Sequence, residues 1–176
     1  MRRAVAGDGD AFGGLMASHR PAALRIATVV LGTLDGAEDV VQQAAERTWR
    51  AIGTVDSERP FQPWFLRIVA NTARNQRRTL GRQARLALRV GGRRPAAEPG
   101  PEDTVVTDVE RQQVIAAMNR LGSEDRLVIA LRHFEQLTER EIAEALDCPA
   151  GTVKSRLSRA MGRLRHELTT VAQVTP

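Results

Sequence analysis

The chain has 176 residues, with 26 basic against 21 acidic side chains and a formal charge of +5. That length suits one medium domain or two small ones. A single cysteine, Cys148, excludes an internal disulfide, and three scattered histidines (His19, His133, His166) have no zinc-ligand spacing.

Strand-like alternation is absent, and only 3% of residues are aromatic, so the elements read as helices. The first is predicted from Asp10 to Leu31, with a bend at Pro21. The next is predicted to open at Asp35, with Glu38 three residues on as a capping-box partner. Its apolar positions Val41, Ala45, Thr48, Trp49 and Ile52 follow the helical period. Residues Gly53 to Pro60 read as a loop by their turn formers. A long helix is predicted from Gln62 to Val90. Residues 91–106, GGRRPAAEPGPEDTVV, have the composition of a flexible linker. Helix resumes from Asp108 to Leu121, and Ser123 is the predicted cap of a helix striped by Leu127, Ala130, Leu131 and Phe134. The predicted architecture is all-α. Two small helical domains, 1–90 and 107–176, are joined by the linker, and each has a small core.

The last pair of helices carries the clearest signal. Thr138 and Glu141 have capping-box spacing, and Ile142, Ala145 and Leu146 then fall on one face. Asp147-Cys148-Pro149 breaks the helix, because proline disfavours helical geometry in the residue before it. In the second helix Val153, Leu157, Ala160, Met161, Leu164 and Leu168 form a buried stripe. Thr152, Ser155, Arg156, Arg159 and Arg163 lie on the other side, and no acidic residue occurs between Pro149 and His166. A basic helical face is ordinarily only a solvated face. Here the short break and the small polar residues near the helix start match a helix-turn-helix whose second helix enters a DNA major groove.

A second charge signal lies in the first half. Between Pro60 and Ala97 there are nine arginines and no acidic residue. The preceding helix is acidic at Glu38, Asp39 and Glu46. The basic surface suits phosphates and the acidic one suits a protein, although acids near a helix start also complement its dipole. Trp64 and Phe65 at the start of the basic helix read as core at that spacing, while aromatics beside arginines also serve to stack unpaired bases. Lys154 is the only lysine, so the other 25 basic residues are arginine. That bias suits bidentate contacts to phosphate and guanine, and a GC-rich genome would produce it equally.

The search for chemistry is negative. There is no phosphate-cradling glycine loop and no G-x-S-x-G elbow, so an enzyme, a cofactor or a small-molecule substrate is not expected. The N-terminal MRRAVAGDGD has no signal-peptide apolar run, and no stretch is long enough to span a membrane. The expectation is a soluble, cytoplasmic protein.

These residues resemble the bacterial RNA polymerase sigma factors of the sigma-70 family, extracytoplasmic-function group. GDGDAFGGL (Gly7 to Leu15) is similar to the family's opening helix, and GAEDVVQQAAERTWRAI (Gly36 to Ile52) to the helix that docks on the polymerase clamp. PWFLRIVANTARNQRR (Pro63 to Arg78) resembles the helix that reads and opens the −10 element. Ala117 to Arg165 resembles the −35-reading domain, with GTVKSRLSRA (Gly151 to Ala160) the most specific part.

The resemblance implies roles. Asp39, Gln42 and Gln43 would face core RNA polymerase. Asn71, Arg74, Asn75 and Arg78 would face the −10 region, with amides on base edges and arginines on the backbone. The Thr54–Arg59 loop would hold a flipped base, and Thr152, Lys154, Ser155, Arg156 and Arg159 would contact −35 DNA. Promoter DNA, core polymerase and an anti-sigma factor are the implied partners. The chain departs from the family at Gln43, where an acid is usual, at Ala45, where a bulky aromatic is usual, and at Gly162, where arginine is common. The alternatives are a free-standing helix-turn-helix regulator and a protein-sequestering module whose arginines are only solvated.

Overall fold

The computed structural model describes residues 1–89 and 108–174. The linker predicted at 91–106 lies outside them. Among the described residues every regular element is helical. A short α1 (Arg2–Val5), which the sequence reading did not anticipate, precedes α2 (Gly9–Leu31). Asp8 starts α2 by accepting the Ala11 amide at 2.9 Å. The helix runs through Pro21 without interruption. Its C-terminus is closed by Gly32, whose φ of +83° is left-handed backbone that glycine adopts without strain.

The acidic helix α3 (Ala37–Ala51) begins two residues later than predicted. The Asp35–Glu38 capping box does not form: the cap is Gly36, and no side chain bonds the free amides. Glu38 instead pairs with Arg20 on α2. A 3₁₀ turn (Ile52–Thr54) and the loop to Pro60 lead into the basic helix α4 (Phe61–Arg89). Three helices, α2, α3 and α4, close the first core around Ile26, Val30, Val40, Phe65, Leu66 and Val69. Burying each such side chain contributes about 1.5–3 kcal/mol. Phe65 is buried as expected, and Phe61 stacks on it at 5.4 Å between ring centroids. Trp64 is half-buried. Trp49 was expected inside, but it is 42% exposed and leans on Phe12 at 4.8 Å, while Ala44 takes the buried position.

The second domain comprises α5 (Asp108–Arg120), α6 (Ser123–His133), α7 (Glu139–Leu146) and α8 (Ala150–Val174). Ser123 is the first residue of α6 rather than its cap; Gly122 holds the cap position and no side chain bonds there. The predicted capping box on α7 forms in full. The Glu141 amide donates to Thr138 Oγ1 at 3.3 Å and the Thr138 amide to Glu141 Oε2 at 2.8 Å. Leu127, Leu131, Ile142 and Val153 fill the core. Phe134, expected in that stripe, is 52% exposed because it lies at the end of α6.

Gly162 lies in the middle of α8, and a Cβ there would meet nothing within 4 Å. Gly162→Ala is therefore expected to stabilise the second domain by about 1 kcal/mol through helix propensity alone. A rise in the chemical-denaturation midpoint with unchanged slope would confirm it; no rise would show that the helix is frayed there.

The two domains are docked on each other, with α6 against α2 and α7 against α4. Their buried apolar residues form one continuous cluster.

Candidate nucleic-acid and polymerase interfaces

Three surfaces carry the residues singled out by sequence. On α3, Asp39, Gln42 and Gln43 are all exposed. Val40, Val41, Ala44 and Thr48 are buried beneath them, so the helical period alone turns the polar residues outward. Ala45, one of the departures from the family, is half-buried.

On α4, Asn71, Arg74, Asn75 and Arg78 follow spacings of three and four and share one side of the helix. Val69, Ala70 and Ala73 anchor the opposite side in the core. Asn71, Asn75 and Arg78 are exposed, and Arg74 is half-buried. Arg74 donates through Nη1 to Asn71 Oδ1 at 3.1 Å. Arg74 Nε and Nη2 donate to the two Glu124 oxygens at 2.9 and 2.6 Å. Hydrogen bonding from Arg74 holds the Glu124 carboxyl below its ordinary pKa against partial burial, and the charges of Arg74, Arg156 and Arg77 add to the effect. A depressed carboxylate pKa contributes stability above the ordinary carboxylate range and loses it as pH falls through the depressed value. The pair is therefore intact at neutral pH.

On α8, the Asp147 turn (φ 53°) and Pro149 set the helix start so that Thr152 and Arg156 are half-buried while Lys154, Ser155 and Arg159 are exposed. Ser155 Oγ donates to the Thr152 carbonyl at 3.0 Å, and Arg159 Nε to the Ser155 carbonyl at 3.2 Å. Val153, Ala160 and Leu164 are buried on the other side. Leu157, Met161 and Leu168 pack against that core from half-buried positions.

Two of these surfaces face one cleft. Asn71, Arg74, Asn75 and Arg78 from α4, with Glu124 and Arg156 among the residues opposite, line a space of about 770 Å³. A smaller space of about 230 Å³ beside it is lined by Glu124, Asp125, Arg156, Arg159 and Arg163. Sequence reasoning missed Glu124 and Asp125. They stand in the first turn of α6, where acids are expected for helix-dipole reasons alone. The loop assigned to a flipped base is held by its own turns, with Glu58 and Arg59 amides donating to Asp56 oxygens at 3.0 and 3.1 Å.

Sequence comparison decides what surfaces of this kind belong to. The Sigma-70 region 2 family profile matches residues 15–83, and the Sigma-70 region 4 profile matches residues 111–164. The RNA polymerase sigma factor NccH of Alcaligenes xylosoxydans is 34% identical, over 93% of this chain and 89% of its own. The chain belongs to the ECF RNA polymerase sigma factors. The ECF RNA polymerase sigma-E factor of Escherichia coli K12 is 32% identical over 91% of this chain and 87% of its own. In structure, the sigma factor RpoE of Bartonella quintana, solved with the anti-sigma factor NepR, aligns with a TM-score of 0.74. It is 25% identical, over 94% of this chain and 98% of that one. As an ECF sigma factor the protein directs RNA polymerase to promoters. A free-standing helix-turn-helix regulator is disfavoured, because residues 15–83 match sigma region 2. No described helix is long and apolar enough to cross a membrane.

Proposed function

We propose that this sigma factor divides its work between residues 1–90, which bind core polymerase and read and open the −10 element, and residues 107–176, which read the −35 element. The face of α4 carries the reading. It presents two amides and two arginines at helical spacing on a chain segment with no carboxylate of its own. Amides bond base edges, and arginines hold the phosphate backbone. Asp39, Gln42 and Gln43 supply the polymerase contact, supported by their shared exposure on α3. Thr152, Lys154, Ser155, Arg156 and Arg159 supply the −35 contacts, supported by their position on the polar side of the second helix of the turn motif.

The protein performs no chemistry of its own and acts in the cytoplasm, where polymerase is. An anti-sigma factor is a partner, by similarity to the Bartonella quintana protein solved with one. The test is run-off transcription with core polymerase on a genomic library. Specific initiation that requires this chain supports the reading; nanomolar operator binding by the chain alone overturns it.

Arg156 separates base from backbone contact. Arg156→Ala is expected to cost about 1–3 kcal/mol on promoters with the preferred −35 sequence if the guanidinium reads a base. Binding of the holoenzyme to a panel of −35 variants measures this. An equal loss on every sequence would place Arg156 on phosphate instead.

A further inference from the structure

Thr72 follows Asn71 on α4 and is buried. Its Oγ1 donates to the Ile68 carbonyl at 2.8 Å. That spends the hydroxyl proton inside the helix and leaves the oxygen's lone pairs free to accept. The donor comes from another helix: Arg47 Nη1 on α3, at 3.1 Å. A guanidinium is thereby pinned beside the two amides assigned to base edges, although α4 does not carry it.

A strap between two helices accounts for one of an arginine's five N–H donors. The other donors of Arg47 face outward, because the side chain is exposed and makes no ion pair among the described residues. Carboxylates are close by on α3 but are taken elsewhere. Glu46 pairs with Arg50 at 3.8 Å, and Glu38 pairs with Arg20. At about 100° per residue, Asn71 and Asn75 lie between Thr72 on one side of α4 and Arg74 and Arg78 on the other. The two amides are therefore bracketed by guanidiniums drawn from two helices. An exposed guanidinium oriented by a neutral hydroxyl, with its charge uncompensated, suits an anion supplied from outside. Its planar fork matches two oxygens of a phosphate.

We propose that Arg47 on α3 is a further DNA contact, holding a phosphate of the strand whose bases meet Asn71 and Asn75. The inference rests on the assignment of the α4 face to the −10 element. A strand that lays its bases on these amides carries its phosphates to the sides of them. Arg78 meets the backbone on one side, and Thr72 places Arg47 on the other. Gln43 stands one turn before Arg47 on α3, so the same edge also borders the face assigned to polymerase.

The test uses holoenzyme and a fluorescein-labelled promoter fragment, single-stranded across −10, from a promoter found by run-off transcription. Anisotropy gives its affinity between about 0.1 and about 1 M salt, and each phosphate contact on a single strand adds about 0.7 to the slope of log affinity against log salt. Arg47→Gln is expected to flatten the slope by that amount, which is about fivefold weaker binding at about 0.1 M salt and near-equality at about 1 M. Arg47→Lys keeps the charge and should keep the slope. Affinity lowered equally at every salt concentration would make Arg47 only a strap between helices and overturn the proposal. A loss traced to weaker core-polymerase binding, measured without DNA, would place Arg47 on the protein partner and overturn it too. Arg78→Gln separates the two readings. If it flattens the slope and Arg47→Gln does not, the Arg47 contact alone falls; if neither does, the assignment of the α4 face to DNA falls with it.

Discussion

Replacing Asn71 and Asn75 together by alanine is expected to slow promoter opening at least tenfold while leaving polymerase binding and closed-complex formation nearly intact. Both amides are exposed and four residues apart on α4, and the buried side of that helix does not involve them. The fold should therefore survive the change. A lost amide contact to a base edge costs about 1–3 kcal/mol, and two such losses on one strand reach or exceed the tenfold effect. Permanganate reactivity of thymines near −10 follows opening directly. A premelted −10 bubble should rescue only part of the loss, since captured bases still lack their contacts. Opening at the wild-type rate would make these asparagines solvated residues and remove the −10 assignment from this face.

Arg126→Ala is expected to destabilise the docked chain by about 2–4 kcal/mol, because truncation leaves buried carbonyls without their donor. Burial, together with the charge of Arg77, lowers the Arg126 pKa from its ordinary value, yet an arginine remains charged at neutral pH. The carbonyls of Val29, Asn119 and Leu121 all depend on it, so the loss falls on the junction as well as inside the second domain. Denaturation followed by separate probes in each domain should then show two transitions where the wild type shows one. A single transition at the wild-type midpoint would mean that docking is carried elsewhere. A second polar contact of that junction, alongside the Arg74–Glu124 pair, is the obvious candidate. Glu135, whose side chain is 2% exposed, accepts Arg25 Nε at 2.8 Å and Gln62 Nε2 at 3.2 Å.

Local signals explain which expectations held. The Thr138–Glu141 box, the Asp147–Pro149 break and the stripe of α8 each depend on residues within one or two helical turns. Such patterns are written in the chain. Surface residues at helical spacing were equally legible, because once Val40, Ala44 and Thr48 point inward, Asp39, Gln42 and Gln43 must point out. The helix starts at Asp35 and Ser123 were misplaced because a capping residue is chosen by competition. Glu38 pairs with Arg20 from another helix instead of a neighbouring amide, and Gly122 adopts the extended geometry that the cap position requires.

The sequence by itself determined an all-helical chain, its helix-turn-helix, and the exposed polar faces of α3, α4 and α8, since each follows from periodicity and short-range hydrogen bonding. Docking of the two domains was decided only by tertiary structure. It depends on Arg126 meeting Val29, 97 positions away, and on Glu135 meeting Arg25, 110 positions away. No local pattern marks such pairs, because a carboxylate or guanidinium reads the same in sequence whether water or a distant helix satisfies it. Buried charge is tolerated there because every partner is present: among the described residues no buried side-chain polar atom lacks a hydrogen bond. The same long-range geometry turned Glu124 from a routine helix-start acid into the partner of Arg74.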